Sequence, residues 1–122
     1  MTIPAAREPR TPHELISVVV PSYNQGRWLG ACLESLFAQG DPALEVIVVD
    51  GGSTDSTRAV LDAWRPRLAV CISEPDAGHA HALEKGFAHA RGSILSWLNS
   101  DDLHMPWTLA RWRAAFARDP GL

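Results

Sequence analysis

Cysteine is scarce in this chain. Only Cys32 and Cys71 occur among its 122 residues. Both sit inside apolar patterns and neither falls in a CxxC or other metal-binding spacing, so a disulfide scaffold and a structural zinc site are excluded and two buried thiols in a reducing compartment are expected. Long apolar runs are missing too. None approaches the roughly 18 residues of a membrane span, and the N-terminal "MTIPAAREPRTPHE" lacks the apolar core of a signal peptide, so the domain is expected in the cytoplasm. Basic charge is not in excess either: the net charge of -3 argues against a protein that coats nucleic acid or an anionic membrane, while leaving room for a small anion held through a metal. No GxGxxG follows the first strand-like run, where the chain reads "PSYNQGRWLG", and no GxxxxGK[ST] occurs, which speaks against a nicotinamide enzyme and a phosphate-loop enzyme. Internal repeats and low-complexity tracts are absent.

What is present is an ordinary globular composition, 46% hydrophobic and 20% charged, with five Trp residues to supply large buried or interfacial surfaces. The length suits one domain. The first 14 residues, rich in Pro and mixed charge, are expected to be a flexible leader, leaving 15–122 as the domain.

Four apolar runs alternate with segments of helical period: "ISVVVP" (16–21), "LEVIVVD" (44–50), "LAVCIS" (68–73) and "SILSWLN" (93–99). That alternation predicts an α/β fold, a Rossmann-like open and mainly parallel sheet of about four strands with flanking helices. The two runs richest in Val and Ile read as strands buried on both faces. Leu29, Cys32, Leu33, Leu36 and Phe37 recur at helical spacing, with Gly40 placed to close that helix. A second helix from about Asp55 to Trp64 follows the cap-rich "STDST" and stops at Pro66. A third runs from about His79 to Arg91 with Gly92 as its expected C-cap. A fourth, "PWTLARWRAAFARDPG", opens near Pro106 and ends before Pro120.

Each strand ends in polar residues, and ligands of open α/β sheets collect beyond the carboxyl ends of strands. Those ends carry "PSYNQG", "DGGSTDST", "SEPDAGHAH" and "NSDD". Asp50 at a strand tip can accept hydrogen bonds from a base or ribose, with Gly51 and Gly52 permitting close backbone approach; it can equally start a turn and cap the next helix. The adjacent carboxylates Asp101 and Asp102, together with Asn99, offer a grip for Mg2+ or Mn2+ shared with a diphosphate, or a helix cap. His79 and His81 are two apart and do not share a helix face, so a two-histidine metal site is not expected, though either can touch a ligand or phosphate. His104 can complete a metal shell or be solvated. Lys85 can reach a phosphate or lie on a solvated face, and Arg111 and Arg113 read as exposed charges.

In order and spacing, "SVVVPSYNQGRWLGACLESLFAQ", "EVIVVDGGSTDST", "SEPDAGHAHALEKGFAHARG" and "ILSWLNSDD" resemble the nucleotide-sugar-binding half of family 2 glycosyltransferases, which have the GT-A fold. The resemblance covers most of the chain from Ile16 to Asp102. It implies that Asp50 recognises the base and that Asp76 lines the nucleotide pocket, with Pro21, Ser22, Tyr23, Gly51 and Lys85 around them. It also implies that Asn99, Ser100 and Asp101 stand at the DxD motif, Asp101 and Asn99 holding Mg2+ or Mn2+ and Ser100 meeting the nucleotide. The implied activity is transfer of a sugar from a nucleoside diphosphate sugar, UDP-sugar favoured, to an acceptor hydroxyl, metal-assisted and with inversion, in polysaccharide or cell-envelope biosynthesis. The acceptor would be a glycan or a lipid-linked molecule, and the complete enzyme would be cytoplasmic or peripheral to the membrane.

The carboxylate base of that family lies well beyond the DxD strand, and no such segment follows here. The expectation is therefore a donor-binding part without its acceptor half, its base beyond residue 122, inactive by itself and prone to self-association through the apolar surface left bare. A catalytically silent nucleotide-sugar-binding module is the alternative. A nucleotidyltransferase is disfavoured because no Gly-rich basic phosphate loop accompanies the first strand.

Overall fold

The computed structural model describes residues 14–118. The expected leader, apart from Glu14, and the expected end of the last helix at Pro120 lie outside the described residues. In chain order the elements are β1 (Ile16–Ser22), α1 (Gly26–Phe37), β2 (Leu44–Asp50), α2 (Thr57–Trp64), a short 3-10 turn (Arg65–Arg67), β3 (Val70–Ser73), α3 (His79–His89), β4 (Ile94–Trp97) and α4 (Thr108–Arg118). The strands form one sheet in the order β3-β2-β1-β4, and every pairing is parallel. This is the open parallel α/β sheet that the alternating runs predict.

The continuous Val and Ile runs of β1 and β2 occupy the centre because both faces of the sheet are covered. β1 is buried at every position and β2 at all but Leu44. Side chains alternate between the two faces. Ile16, Val18, Val20, Val46, Val48 and Ile94 pack with Leu29, Leu33 and Leu36 of α1, Leu61 of α2 and Leu109 of α4. Val19, Ile47 and Val49 pack with Ala82, Leu83 and Phe87 of α3. The approach of α3 to β1 is set by Gly86, where a Cβ would lie 2.4 Å from Val19 Cγ1. On the outer strand β4, Leu95 and Trp97 stay about half exposed, at 53% and 45%.

Four expectations are corrected here. Gly92 is not the cap of α3, which ends at His89 with Ala90 already extended; Gly92 is needed for space, since its Cβ would meet Leu15 O and Ser17 Oγ at 2.5 Å. Cys71 is only partly buried, because it lies on the edge strand β3, whereas Cys32 is fully buried on the core-facing side of α1. β3 begins at Val70 because the 3-10 turn after Trp64 consumes Arg65–Arg67. Arg113 is 7% exposed rather than a surface charge. Its guanidinium donates to Asp41 through Nε (2.6 Å) and Nη2 (2.8 Å), to Ala43 O (2.6 Å) and to Glu14 O, so α4 is clamped to the amino edge of the sheet by a bidentate pair.

A second polar clamp sits on that same edge. Glu45, 5% exposed on β2, accepts the Ser17 hydroxyl (2.6 Å), the Arg91 N–H (2.6 Å) and Arg91 Nε (3.1 Å). Ser17 Oγ in turn accepts the Gly92 N–H at 2.8 Å. The connection from α3 to β4 is thereby held against β1 and β2, which aligns β4 beside β1.

Burial pushes the Glu45 carboxyl up, but the Arg91 N–H, the Ser17 hydroxyl and the Arg91 guanidinium outweigh it, and its pKa is lowered on balance. A carboxylate whose folded pKa is depressed contributes stability above its unfolded pKa, about 4.3, and loses it as pH falls through the folded value. The difference in unfolding free energy between wild type and Glu45→Gln should therefore be largest above a pH of about 5 and shrink below about 4, as urea denaturation across pH will read. Gly86→Ala should cost about 1–3 kcal/mol through overpacking. Val19→Ala should relieve most of that cost in the double variant, so additive penalties would remove the Gly86–Val19 contact as the cause.

Candidate functional site

The sheet order places a site before any side chain is considered. The chain runs outward from β1 to β2 to β3, then α3 carries it back across the sheet to β4 on the other side of β1. At such a reversal the loops leaving the carboxyl ends of neighbouring strands diverge and leave a crevice. The structure has a cavity of about 800 Å³ there, lined chiefly by Pro21 and Ser22 at the end of β1 and Tyr23 after it, Gly51 after β2, Asp76 to His79 before and at the start of α3, and Asn99 to Asp101 after β4. That volume is within the usual range for a small-molecule site.

Of the residues singled out from the sequence, Pro21, Ser22, Tyr23, Gly51, Asp76, Asn99, Ser100 and Asp101 line this cavity. Ser22 is 6% exposed, and its hydroxyl is a buried side-chain polar atom without a hydrogen-bond partner among the described residues. Such a group is costly unless something supplies a partner. Asp76 accepts the Gly78 N–H through Oδ1 at 3.0 Å. It can stand this close to the β2 tip because Gly51 has no side chain: a Cβ there would meet the Asp76 carboxylate oxygens at 3.1 and 3.2 Å. Gly78, at φ 117, takes a backbone conformation few other residues adopt, and it turns the chain into α3.

Asp50 and Lys85 stand elsewhere. Asp50 is fully buried and does not line the cavity. Its carboxylate accepts the Ser53 N–H (3.0 Å), the Ser73 hydroxyl (2.9 Å) and the Ser53 hydroxyl. Lys85 donates to Pro75 O at 3.2 Å and pairs with Glu74 at 3.6 Å, bracing the loop before α3 from outside instead of reaching into the cavity.

Reading strand tips in isolation misses the network that holds the two first loops together. Asn24, at φ 52, donates its N–H to Ser53 Oγ (2.8 Å) and accepts the Thr54 N–H at Oδ1 (2.8 Å). Asp55 accepts the Gly26 N–H (3.0 Å) and both donors of Thr57. Those contacts, with the Thr57 hydroxyl first among them, hold the Asp55 carboxyl below its usual range. The signal was in the sequence as Asn before a helix and as "STDST", whose oxygens cap across loops as well as within α2.

The "NSDD" turn closes through the Asp102 N–H to Asn99 O at 2.9 Å. α4 starts only at Thr108, so neither Asp101 nor Asp102 caps it. Beneath the turn lies Cys32, whose thiol is pushed up to about 12 by burial and then by the charges of Asp102 and Asp101, leaving it inert. His104 does not join the cavity. It lies edge-on to Trp112 at 5.0 Å, its N–H meets Ser35 Oγ at 3.0 Å, and burial pushes its pKa down. His81 accepts the Ala77 N–H at 2.8 Å. His79, by contrast, lines the cavity, and its Nε2 lies 2.9 Å from Asn99 Oδ1.

Among the described residues, no group of three or more His, Cys, Asp or Glu is arranged to hold a metal ion. The exposed carboxylate at the turn, Asp101, suits instead a hard divalent ion that takes most of its shell from phosphate oxygens and water, as Mg2+ and Mn2+ do.

The profile of the family described as glycosyl transferase family 2 matches residues 17–121. The chain belongs to glycosyl transferase family 2. Among relatives, glycosyltransferase GlyG of Streptococcus pneumoniae is 40% identical over 93 residues, which cover 74% of this chain and 31% of GlyG. The putative teichuronic acid biosynthesis glycosyltransferase TuaG of Bacillus subtilis is 36% identical over 91 residues, 72% of this chain and 36% of TuaG. Among solved structures, the mannosyltransferase PcManGT of Pyrobaculum calidifontis, in complex with GDP-Man and Mn2+, aligns with a TM-score of 0.81 at 34% identity, covering 92% of this chain and 35% of that one. TarS 1-349 of S. aureus, in complex with UDP, aligns with a TM-score of 0.77 at 29% identity, covering 85% and 32%. The fold is thus the GT-A fold that the motifs imply, and this family 2 chain spans about a third of the length of these relatives.

The burial of Asp50 gives it a measurable structural role. Asp50→Ala abandons the donors of Ser53 and Ser73, at about 1–3 kcal/mol for each one left buried and unpaired. The variant should unfold at clearly lower urea with or without nucleotide; wild-type stability combined with lost ligand binding would instead make Asp50 a direct ligand contact.

Proposed function

We propose that the cavity at the carboxyl edge binds a nucleoside diphosphate sugar and that the complete protein transfers the sugar to an acceptor hydroxyl with inversion. The observation that carries this reading is the cavity itself, on which the ends of β1, β2 and β4 and the start of α3 converge at the carboxyl edge. Its surroundings are polar, open and shaped by glycines at close approach, as an extended polar ligand requires. The similarity to proteins solved with UDP and with GDP-Man and Mn2+ supports the same class of ligand. Uracil is the base implied by the sequence resemblance, and thymine and guanine, as in dTDP and GDP donors, are the alternatives.

In this reading Pro21, Ser22 and Tyr23 form the floor under the nucleotide, Gly51 and Asp76 border it, and Asn99 to Asp101 face the diphosphate. Among the described residues the wall includes the carboxylates Asp76 and Asp101 but neither Lys nor Arg, so a dianionic diphosphate would meet net negative charge unless a cation accompanied it. Asp101 is the residue assigned to hold Mg2+ or Mn2+, which when bound neutralises the diphosphate and the charge growing on it as it departs. The acceptor oxygen forms a bond to the anomeric carbon as the bond from that carbon to the diphosphate breaks. The acceptor's proton passes to a base, and the nucleoside diphosphate leaves with the electron pair. The base and the acceptor site are assigned to the additional polypeptide that the longer relatives possess. Two relatives named for teichuronic acid and for PGL/p-HBAD biosynthesis support an envelope glycan or lipid acceptor.

Calorimetric titration with UDP and GDP, each with Mn2+ and again with chelator, tests the donor site directly. Binding of one nucleotide that chelator weakens is expected. Asp101→Ala should lose that metal-dependent part, by about tenfold or more, with its thermal midpoint unchanged; undiminished affinity in this variant would remove Asp101 as the metal ligand.

A further inference from the structure

We infer that Asn99 serves the cavity as an amide donor to a phosphate oxygen, held in that orientation by His79, and that it is not a metal ligand. The inference rests on the reading of the cavity as a nucleoside diphosphate site, and it revises the metal role that the sequence resemblance gives Asn99.

The geometry begins with the 2.9 Å contact between His79 Nε2 and Asn99 Oδ1. An amide oxygen only accepts, so Nε2 must carry the hydrogen. The amide is planar, with oxygen and NH2 on opposite sides. Committing the oxygen to the imidazole turns the NH2 away from it, and no described residue accepts from that NH2. A residue on the cavity wall is thereby left with a donor to offer. A divalent ion on Oδ1 would have to share the oxygen with an N–H whose positive end already points at it, an unfavourable arrangement beside a cation.

Both partners are held by other contacts. The His79 ring lies edge-to-face with Trp97, centroids 5.1 Å apart at 73°. The Asn99 backbone carbonyl accepts the Asp102 N–H at 2.9 Å and lies 3.5 Å from the Cys32 thiol. His79 is the first residue of α3 and Asn99 follows β4, so this hydrogen bond spans the two elements that wall the cavity on either side of the crevice. His79 is accordingly a positioning residue, acting through Asn99, while Asp101 remains to hold the metal. Where two acidic residues would both attract a cation, this pair divides the work between one cation ligand and one anion donor.

The test uses wild type, Asn99→Ala, His79→Ala and His79→Gln, with whichever of UDP and GDP binds the wild type. Calorimetry gives nucleotide affinity, and electron paramagnetic resonance of free Mn2+ at saturating nucleotide gives metal affinity. Asn99→Ala should weaken the nucleoside diphosphate by about tenfold, leave the matching nucleoside unaffected, and keep Mn2+ affinity within about twofold, a limit set by ordinary measurement scatter. His79→Ala should reproduce that loss, and His79→Gln, which retains an N–H able to reach Oδ1, should restore it. A tenfold fall in Mn2+ affinity for Asn99→Ala would overturn the inference by making Asn99 a metal ligand. Failure of His79→Gln to rescue would overturn the positioning role. A folded wild type that binds neither nucleotide would overturn the donor-site reading itself, and this inference with it, before any variant is compared.

Discussion

The carboxyl edge of this domain depends on a buried carboxylate that hydroxyl and N–H donors meet, with no cation beside it among the described residues. Asp50 ends the central strand β2 with no exposed surface, and three hydrogen bonds from Ser53 and Ser73 take the place of water around its carboxylate. A carboxylate that far from solvent is tolerable only when its lone pairs are met by fixed donors. The donors come from the loop after β2 and from the end of β3, so satisfying Asp50 fixes both. Ser53 passes the constraint on, because its hydroxyl oxygen also accepts the Asn24 N–H. Three strand ends are in this way positioned by one carboxylate, and the fourth, beyond β4, is bordered by them. The residues of the cavity wall are thereby positioned by contacts made one layer below them.

The opposite edge shows the complementary strategy. There the polar clamps carry paired charges, Glu45 with Arg91 and Asp41 with Arg113, and they tie connections together where no ligand is needed. The side chains of Asp41 and Arg113 are both largely buried, whereas Arg91 reaches Glu45 from solvent; replacing a buried pair by apolar residues is often tolerated, while removing one partner is costly. Such pairs fix which segments meet and do not simply add stability. Glu45 with Arg91 and Gly92 brings β4 to the free side of β1, and that placement creates the reversal of strand order on which the crevice depends.

How much of this was legible in the sequence follows from the range of the interactions concerned. The strands β1 and β2, all four helices and the clustering of the strand ends come from local period and composition, and these were readable. So were most of the cavity residues, because they sit in the polar stretches that end the strands. Arg113 was not: its partner Asp41 lies 72 residues away, and a charged residue on an amphipathic helix gives no local sign that it will be buried. Gly92 looked like a helix cap because Gly commonly is one, while its actual role depends on how close Leu15 and Ser17 pass. The inward role of Asp50 was equally hidden, since a strand-tip carboxylate reads the same whether ligand or protein supplies its donors.

The adjacent carboxylates of "NSDD" find their explanation in the same terms. Asp101 belongs to the cavity wall and Asp102 does not. Both are exposed, so water screens their mutual repulsion. The turn needs Asp102 only for its backbone N–H, which closes onto Asn99 O. Thus the pair is not a joint site for one ion but a turn in which one carboxylate faces the cavity and the next faces solvent. With Asp76 on the facing loop and no Lys or Arg among the described residues of the wall, the formal charge around the cavity is negative. On the proposed reading of the site, the uncharged amide of Asn99 would then orient a diphosphate without binding it so tightly that the spent nucleotide could not leave.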